Sequence, residues 1–120
     1  METLLHQIKH HPETVGFKQV IETINQHYDY SPAAFTNGLG KDTLHNAPGQ
    51  NEGSCRVFAF AKRQNFSEAE VLACFGEHYR VDVLQHPEGS DHQNIRHFMK
   101  YGWQGIQFER DALTEKCLSA

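Results

Sequence analysis

Between Tyr79 and Phe98 the chain reads YRVDVLQHPEGSDHQNIRHF, a run that gathers arginines, two aspartates, an asparagine and three histidines around a Pro/Gly break. Polar side chains that converge in a folded domain are either paired for structural reasons or kept for chemistry. His78, Asp82 and His86 stand four apart, so on one helix they project from nearly the same side. Two imidazoles and a carboxylate with open positions form a donor set for zinc or ferrous iron, and Asp91 or His92 beyond the turn completes it. The competing reading is structural: Asp82 pairs with a histidine, and His86 caps the helix end, where a cation is favoured.

Cys55 offers a second chemistry. It follows Ser54, which reads as a helix N-cap, and a thiol at the positive end of a helix ionises more easily. As a nucleophile it needs a histidine base, for which His86 and His92 are candidates, and an orienting group such as Asp91, Asn94 or Asn51. Against this stands a small buried thiol with no chemistry. Glu52, Arg80, Asp91 and Arg96 can form carboxylate–guanidinium pairs that fasten the chain before Ser54 to the helices after it. Arg80 and Arg96 as a fork for an anion is the alternative. No reaction follows from these residues alone, so no catalytic residue, metal ligand or cofactor is assigned.

The elements that must hold these groups can be read from periodicity. Leu4, Leu5 and Ile8 give a short helix from Thr3 to His10, ended by Pro12. Phe17, Val20, Ile21, Ile24 and Tyr28 recur at three and four, an apolar stripe on a second helix. Ala34 to Thr36 is short enough for an edge strand, stopped by Asn37-Gly38. The Gly/Asn/Pro-rich stretch from Asn37 to Gly53 reads as a long ordered loop, of a length that tends to be functional. A helix from Cys55 to Gln64 follows, with Phe58 and Phe60 on different sides. Ser67-Glu68-Ala69-Glu70 is a capping box opening a helix to about Gln85, with Leu72, Phe75, Tyr79 and Val83 as its stripe. Ser90-Asp91-His92-Gln93 offers another box for a helix through Lys100, and Gly102 fits its left-handed C-terminal cap. Trp103 to Glu109 alternates as a strand that pairs with Ala34–Asn37. The predicted fold is α+β, mainly helical, with four to five helices and a small antiparallel sheet in a single domain over residues 1–120.

Composition narrows the function classes. With 11 basic and 15 acidic residues mixed along the chain, there is no basic stripe for a phosphate backbone, and nucleic acid is not an expected partner. Nine histidines make the net charge sensitive to pH between 5 and 8. Cys55, Cys74 and Cys117 are odd in number and lack CxxC spacing, which speaks against a disulfide scaffold or zinc ribbon and for reduced cytoplasmic thiols. No segment approaches the ~18 apolar residues of a membrane span, so membrane association is not expected.

Taken in order, NGLGK, GQNEGSC, YRVDVLQHPEGSDHQNIRHF and GWQGIQF resemble the signature of the HopJ type III effector family over roughly residues 12 to 113. The resemblance implies a bacterial protein delivered into host cells by a type III secretion system, and it carries no established reaction. The matching positions include Asn51, Glu52, Ser54, Cys55, Tyr79, Arg80, His86, Asp91, His92, Asn94 and Arg96, which together are the candidate pocket. His78 lies outside the pattern, so the resemblance shifts the metal reading to His86, Asp91 and His92. Amphipathic structure starts almost at Met1, where an effector would carry a serine-rich leader, so a resident cytoplasmic protein is the alternative expectation. Three functions remain open: a polar pocket that binds a host protein or small molecule, a hydrolase-like site using Cys55 or a metal, and a purely structural cluster. The first two require the chain before Ser54 to fold back over the bend at His86–His92.

Overall fold

The computed structural model describes residues 1–116, and Cys117 with the terminal residues expected to fray lies outside them. The fold is α+β and mainly helical. Five α-helices are present among the described residues: α1 (Glu2–His10), α2 (Phe17–His27), α3 (Glu52–Arg63), α4 (Glu68–Cys74) and α5 (Gln93–Tyr101). Five short strands join them: β1 (Tyr28–Tyr30), β2 (Phe35–Asn37), β3 (Leu44–Asn46), β4 (Ile106–Phe108) and β5 (Leu113–Glu115).

α3 forms the centre. Val57, Phe58, Phe60 and Ala61 have no exposed surface, so apolar groups leave this helix on more than one side. Phe58 meets the rings of Phe35, Phe75 and Phe98 at centroid distances of 5.8, 5.5 and 5.3 Å, which joins β2, the end of α4 and α5 in one aromatic cluster. The stripe on α2 buries Val20 and Ile24 as its spacing requires.

β2 pairs antiparallel with β4 in the register Phe35↔Phe108 and Asn37↔Ile106, the pairing that alternation predicts. The stretch before β4, Gly102–Gly105, is a 3-10 turn and not strand, so the alternation from Trp103 to Glu109 overextends the element by three residues at its start and one at its end. β3 adds to the other side of β2, giving the order β3-β2-β4. The segment expected to be loop from Asn37 to Gly53 thus contains a strand, whose Asn46 is buried despite its polarity. A second, two-stranded sheet pairs β1 with β5.

The helix expected from Ser67 to Gln85 is broken. Its start is as read: the Glu70 N–H donates to Ser67 Oγ at 3.2 Å and the Ser67 N–H to Glu70 Oε1 at 2.8 Å. α4 ends at Cys74, and Gly76 takes a left-handed φ of 56°. A π-helical segment, His78–Val83, follows, with the Leu84 N–H donating to Tyr79 O five residues back at 2.9 Å. The apolar stripe survives the break, because Phe75 and Val83 are both buried.

Two expected caps are replaced. Asn51, at φ 51°, precedes α3, so Ser54 lies inside the helix and not at its cap. His92, at φ 50°, precedes α5, and Gln93 donates its side-chain amide to Ser90 O at 2.6 Å instead of closing a capping box. Gly102 does occupy the C-cap of α5 at φ 63°. No helix among the described residues is long and apolar enough to cross a membrane.

Candidate binding cleft

The turn before α3 does fold back over the start of α5. Asn51, Gly53 and Ser54 on one side and His92, Gln93 and Asn94 on the other border an open cleft of about 520 Å³. Phe17, Leu44, Phe75 and Ile95 supply its apolar lining, and His78 stands at its edge. An apolar lining with a few convergent polar groups is the usual make-up of a small-molecule site.

Asparagines set the spacing of the two walls. Asn94 is buried, and its side-chain amide donates to Asn46 Oδ1 at 2.9 Å. Its carbonyl oxygen accepts from Asn37 Nδ2 at 3.1 Å and Asn46 Nδ2 at 3.2 Å. Asn51 Nδ2 donates to the same Asn46 Oδ1 at 2.7 Å. Four side-chain amides therefore tie β2, β3, the start of α3 and α5 together, and three of them, Asn37, Asn46 and Asn94, are buried in low-dielectric surroundings, where such bonds are strong.

At the edge, the Asp82 carboxylate lies between two imidazoles. Asp82 Oδ2 is 3.0 Å from His92 Nε2 and 3.5 Å from His78 Nδ1. Hydrogen bonding from His92 first, then His78, holds the Asp82 carboxyl below the usual carboxylate range. The two imidazole ring centroids lie 4.8 Å apart with their planes tilted by 37°, and the His78 ring stands edge-on to Phe17 at 4.6 Å.

The expected helical trio of His78, Asp82 and His86 is corrected in one member. The helix closes before His86, whose exposed side chain takes no part in the cluster, and His92 fills its place from the next element. The set His86, Asp91 and His92 is not assembled either. The Asp91 carboxylate is held by Arg96 Nη2 at 2.6 Å and its other oxygen stands 3.9 Å from His92 Nε2. Arg96 Nη1 also donates to His86 O at 3.0 Å, so this arginine fastens the turn in the way a structural role predicts. Arg80 likewise donates to Pro12 O and Val15 O at 3.2 and 2.7 Å, and Tyr79 packs against the core.

Cys55 and Glu52 belong to another face of α3. Cys55 is 1% exposed, its thiol points to Ala33 O at 3.7 Å, and burial pushes its pKa up. The lowered thiol pKa expected from a helix-start position is thus reversed, because the helix begins three residues earlier and the sulfur faces the core. Glu52 lies with Cys55 beside Tyr30, whose phenol is raised chiefly by burial. Cys74, buried in α4, is pushed up to about 12. Neither thiol borders the cleft.

Of the eleven candidate residues, Asn51, Ser54, His92 and Asn94 border the cleft; the other seven brace the elements around it or face elsewhere. Sequence reasoning missed Phe17, Leu44 and Ile95 as lining, since apolar residues at helical or strand spacing read as core. It also set aside His78, although the spacing of His78 and Asp82 already carried that signal.

The HopJ type III effector protein family matches residues 1–113. The chain belongs to this family. Its HopJ domain is also similar to a solved structure described as the crystal structure of an unknown-function protein, VPA0580, with 46% identity and a TM-score of 0.92 over 97% of this chain and 93% of that one. Among curated proteins, none matches.

Proposed function

We propose that this HopJ domain is a ligand-binding module whose cleft between Asn51–Ser54 and His92–Asn94 takes a small polar molecule. The observation that carries this reading is the convergence of the buried Asn94 amide, the exposed Asn51 and Gln93 amides and the half-buried His78 and His92 imidazoles, from three separate elements, on one apolar-lined opening. A second hollow of about 530 Å³ runs along β3 and β4, but its titratable residues, His45 and Glu109, stand without a convergent donor set. A thiol hydrolase is disfavoured by the burial of Cys55 away from the cleft.

Fragment screening by amide chemical shifts of the isotope-labelled chain tests the reading. Bound fragments should shift the amides of Asn51, Ser54, Gln93 and Asn94 together. Ser54→Trp, which fills the opening from a half-buried position, should abolish those shifts and leave the circular dichroism spectrum unchanged. Fragments that bind elsewhere, or that still bind Ser54→Trp, would remove the proposal.

The family description favours delivery by a type III system, and we place the domain's action in the host cell on that basis. A reporter fused after residue 113 should appear in the medium of a secreting strain and be lost when the secretion ATPase is deleted. Retention in both strains would favour a resident bacterial role.

A further inference from the structure

We propose that His78, Asp82 and His92 bind a single divalent first-row transition ion, zinc or ferrous iron, whose open positions face the cleft and take an anionic oxygen ligand. This deepens the ligand-binding reading and rests on the same cleft.

Geometry is the first support. One donor atom from each residue lies within 4.8 Å of the others. Metal–ligand bonds of ~2.0–2.2 Å place neighbouring ligands about 2.9–3.5 Å apart, whether the coordination is octahedral or tetrahedral. The observed separations of 3.0 and 3.5 Å from Asp82 Oδ2 to the two imidazole nitrogens span that interval. Asp82 thus already stands at ligand spacing from both rings, and the two imidazole nitrogens, within 4.8 Å of each other, reach the same spacing when their side chains rotate toward a shared ion.

Position is the second. The three side chains are between 29 and 43% exposed, so the donors are open to solvent on one side and backed by protein on the other. Edge-on contact with Phe17 restricts the His78 ring. His92 is held in left-handed backbone conformation, uncommon for a residue with a side chain, between Asp91 and the first turn of α5. Asp82 comes from the π-helical segment, a local winding frequent at functional sites.

Donor chemistry selects the ion and its further ligand. Two imidazoles and one carboxylate suit zinc or iron, whereas calcium and magnesium require mostly oxygen ligands. Among the described residues three protein donors cluster here, and the neighbouring Asp91 carboxylate is engaged by Arg96 at 2.6 Å, as in sites that keep a position open. Neutral imidazoles and one carboxylate leave a divalent ion with formal charge of about +1, which favours a carboxylate or phosphate oxygen at the open position.

The test uses the full untagged chain after treatment with chelator. Zinc should bind at one equivalent in competition with a chromophoric chelator, and cobalt(II) should give visible absorption bands that change on adding acetate or inorganic phosphate. His78→Ala, Asp82→Asn and His92→Ala should each weaken zinc at least tenfold. A second pair of imidazoles that could take zinc is His6 and His10, whose rings lie 4.4 Å apart on α1, so His6→Ala/His10→Ala should leave the affinity unchanged. Absence of stoichiometric zinc binding, its survival in His92→Ala, or its loss in the His6/His10 variant would overturn the metal site. Cobalt bands indifferent to both anions would overturn the open position. If fragments shift the cleft amides while no ion binds, the metal site falls and the cleft reading stands. If zinc binds but no fragment shifts those amides, the converse holds.

Discussion

Gly76→Ala should cost ~3 kcal/mol or more, or leave the protein insoluble, because two penalties coincide at this residue. The first is conformational: φ is 56°, and a Cβ in the left-handed region costs about 1–2 kcal/mol. The second is steric and larger. A Cβ here would lie 2.5 Å from the Phe17 amide nitrogen and 3.1 Å from Gly16 C and Val15 O. These are backbone atoms, and they cannot retreat, since Val15 is fully buried and its carbonyl is held by Arg80 at 2.7 Å. Gly40 separates the two penalties. Its φ is 59°, yet nothing lies within 4 Å of its added Cβ, so Gly40→Ala should lose only ~1 kcal/mol. Urea unfolding of both variants measures the difference, and a Gly76 variant no weaker than the Gly40 one would mean that α2 and the end of α4 are not packed as described. The same contact brings the His78–Val83 segment against Phe17, so this glycine places the edge of the cleft as well as ending a helix.

That break marks the limit of what periodicity can show. Leu72, Phe75, Tyr79 and Val83 keep helical spacing across Gly76, and an isolated glycine inside such a pattern does not announce which backbone will press against it. Where a signal is local, it held: Ser67 and Glu70 close their capping box, and Phe35 and Ile106 lie on neighbouring strands as alternation required. Ser90 and Gln93 carry the same four-residue signature, but Arg96 draws Asp91 and the chain around His86 into a turn, and His92 becomes the cap residue. Competing bonds from a side chain five and ten residues further along decided the outcome. The cleft was legible in one respect, the approach of the chain before Ser54 to the bend at His92. Its membership was not, because a guanidinium that pairs with a carboxylate and one that fastens main-chain carbonyls look the same in sequence. Cys55 shows the same limit, since a shift of three residues in the start of α3 turns a thiol from a helix end toward the core.

Asn94→Ala should cost ~3 kcal/mol, although it removes only a short polar side chain. An alanine substitution in a dry core usually costs in proportion to lost apolar contact, but here the loss is of hydrogen bonds that nothing replaces. Asn46 Oδ1 would lose its Asn94 donor, and the Asn37 and Asn46 amides would lose the oxygen they share. Each buried group left short of a partner costs about 1–3 kcal/mol, moderated where a bond remains. Asn37 keeps its 2.8 Å bond to Asn94 O, Asn46 Nδ2 keeps a long 3.4 Å bond to Phe35 O, and Asn46 Oδ1 keeps the bond from Asn51. Asn94→Asp should be destabilised as well, because a carboxylate cannot donate to Asn46 Oδ1 and would set two acceptors face to face. The network reading makes a sharper demand on the double variant. Once Asn46 is also alanine, the groups stranded by Asn94→Ala are fewer, so Asn46→Ala/Asn94→Ala should cost at least ~1 kcal/mol less than the sum of the single losses. Strict additivity in urea unfolding, or a single loss under ~1 kcal/mol, would show that the amides do not act as a unit. In the single variant the amide resonances of Asn51 and Ser54 should move furthest outside α5, because Asn46 is the link through which α5 holds the opposite wall of the cleft.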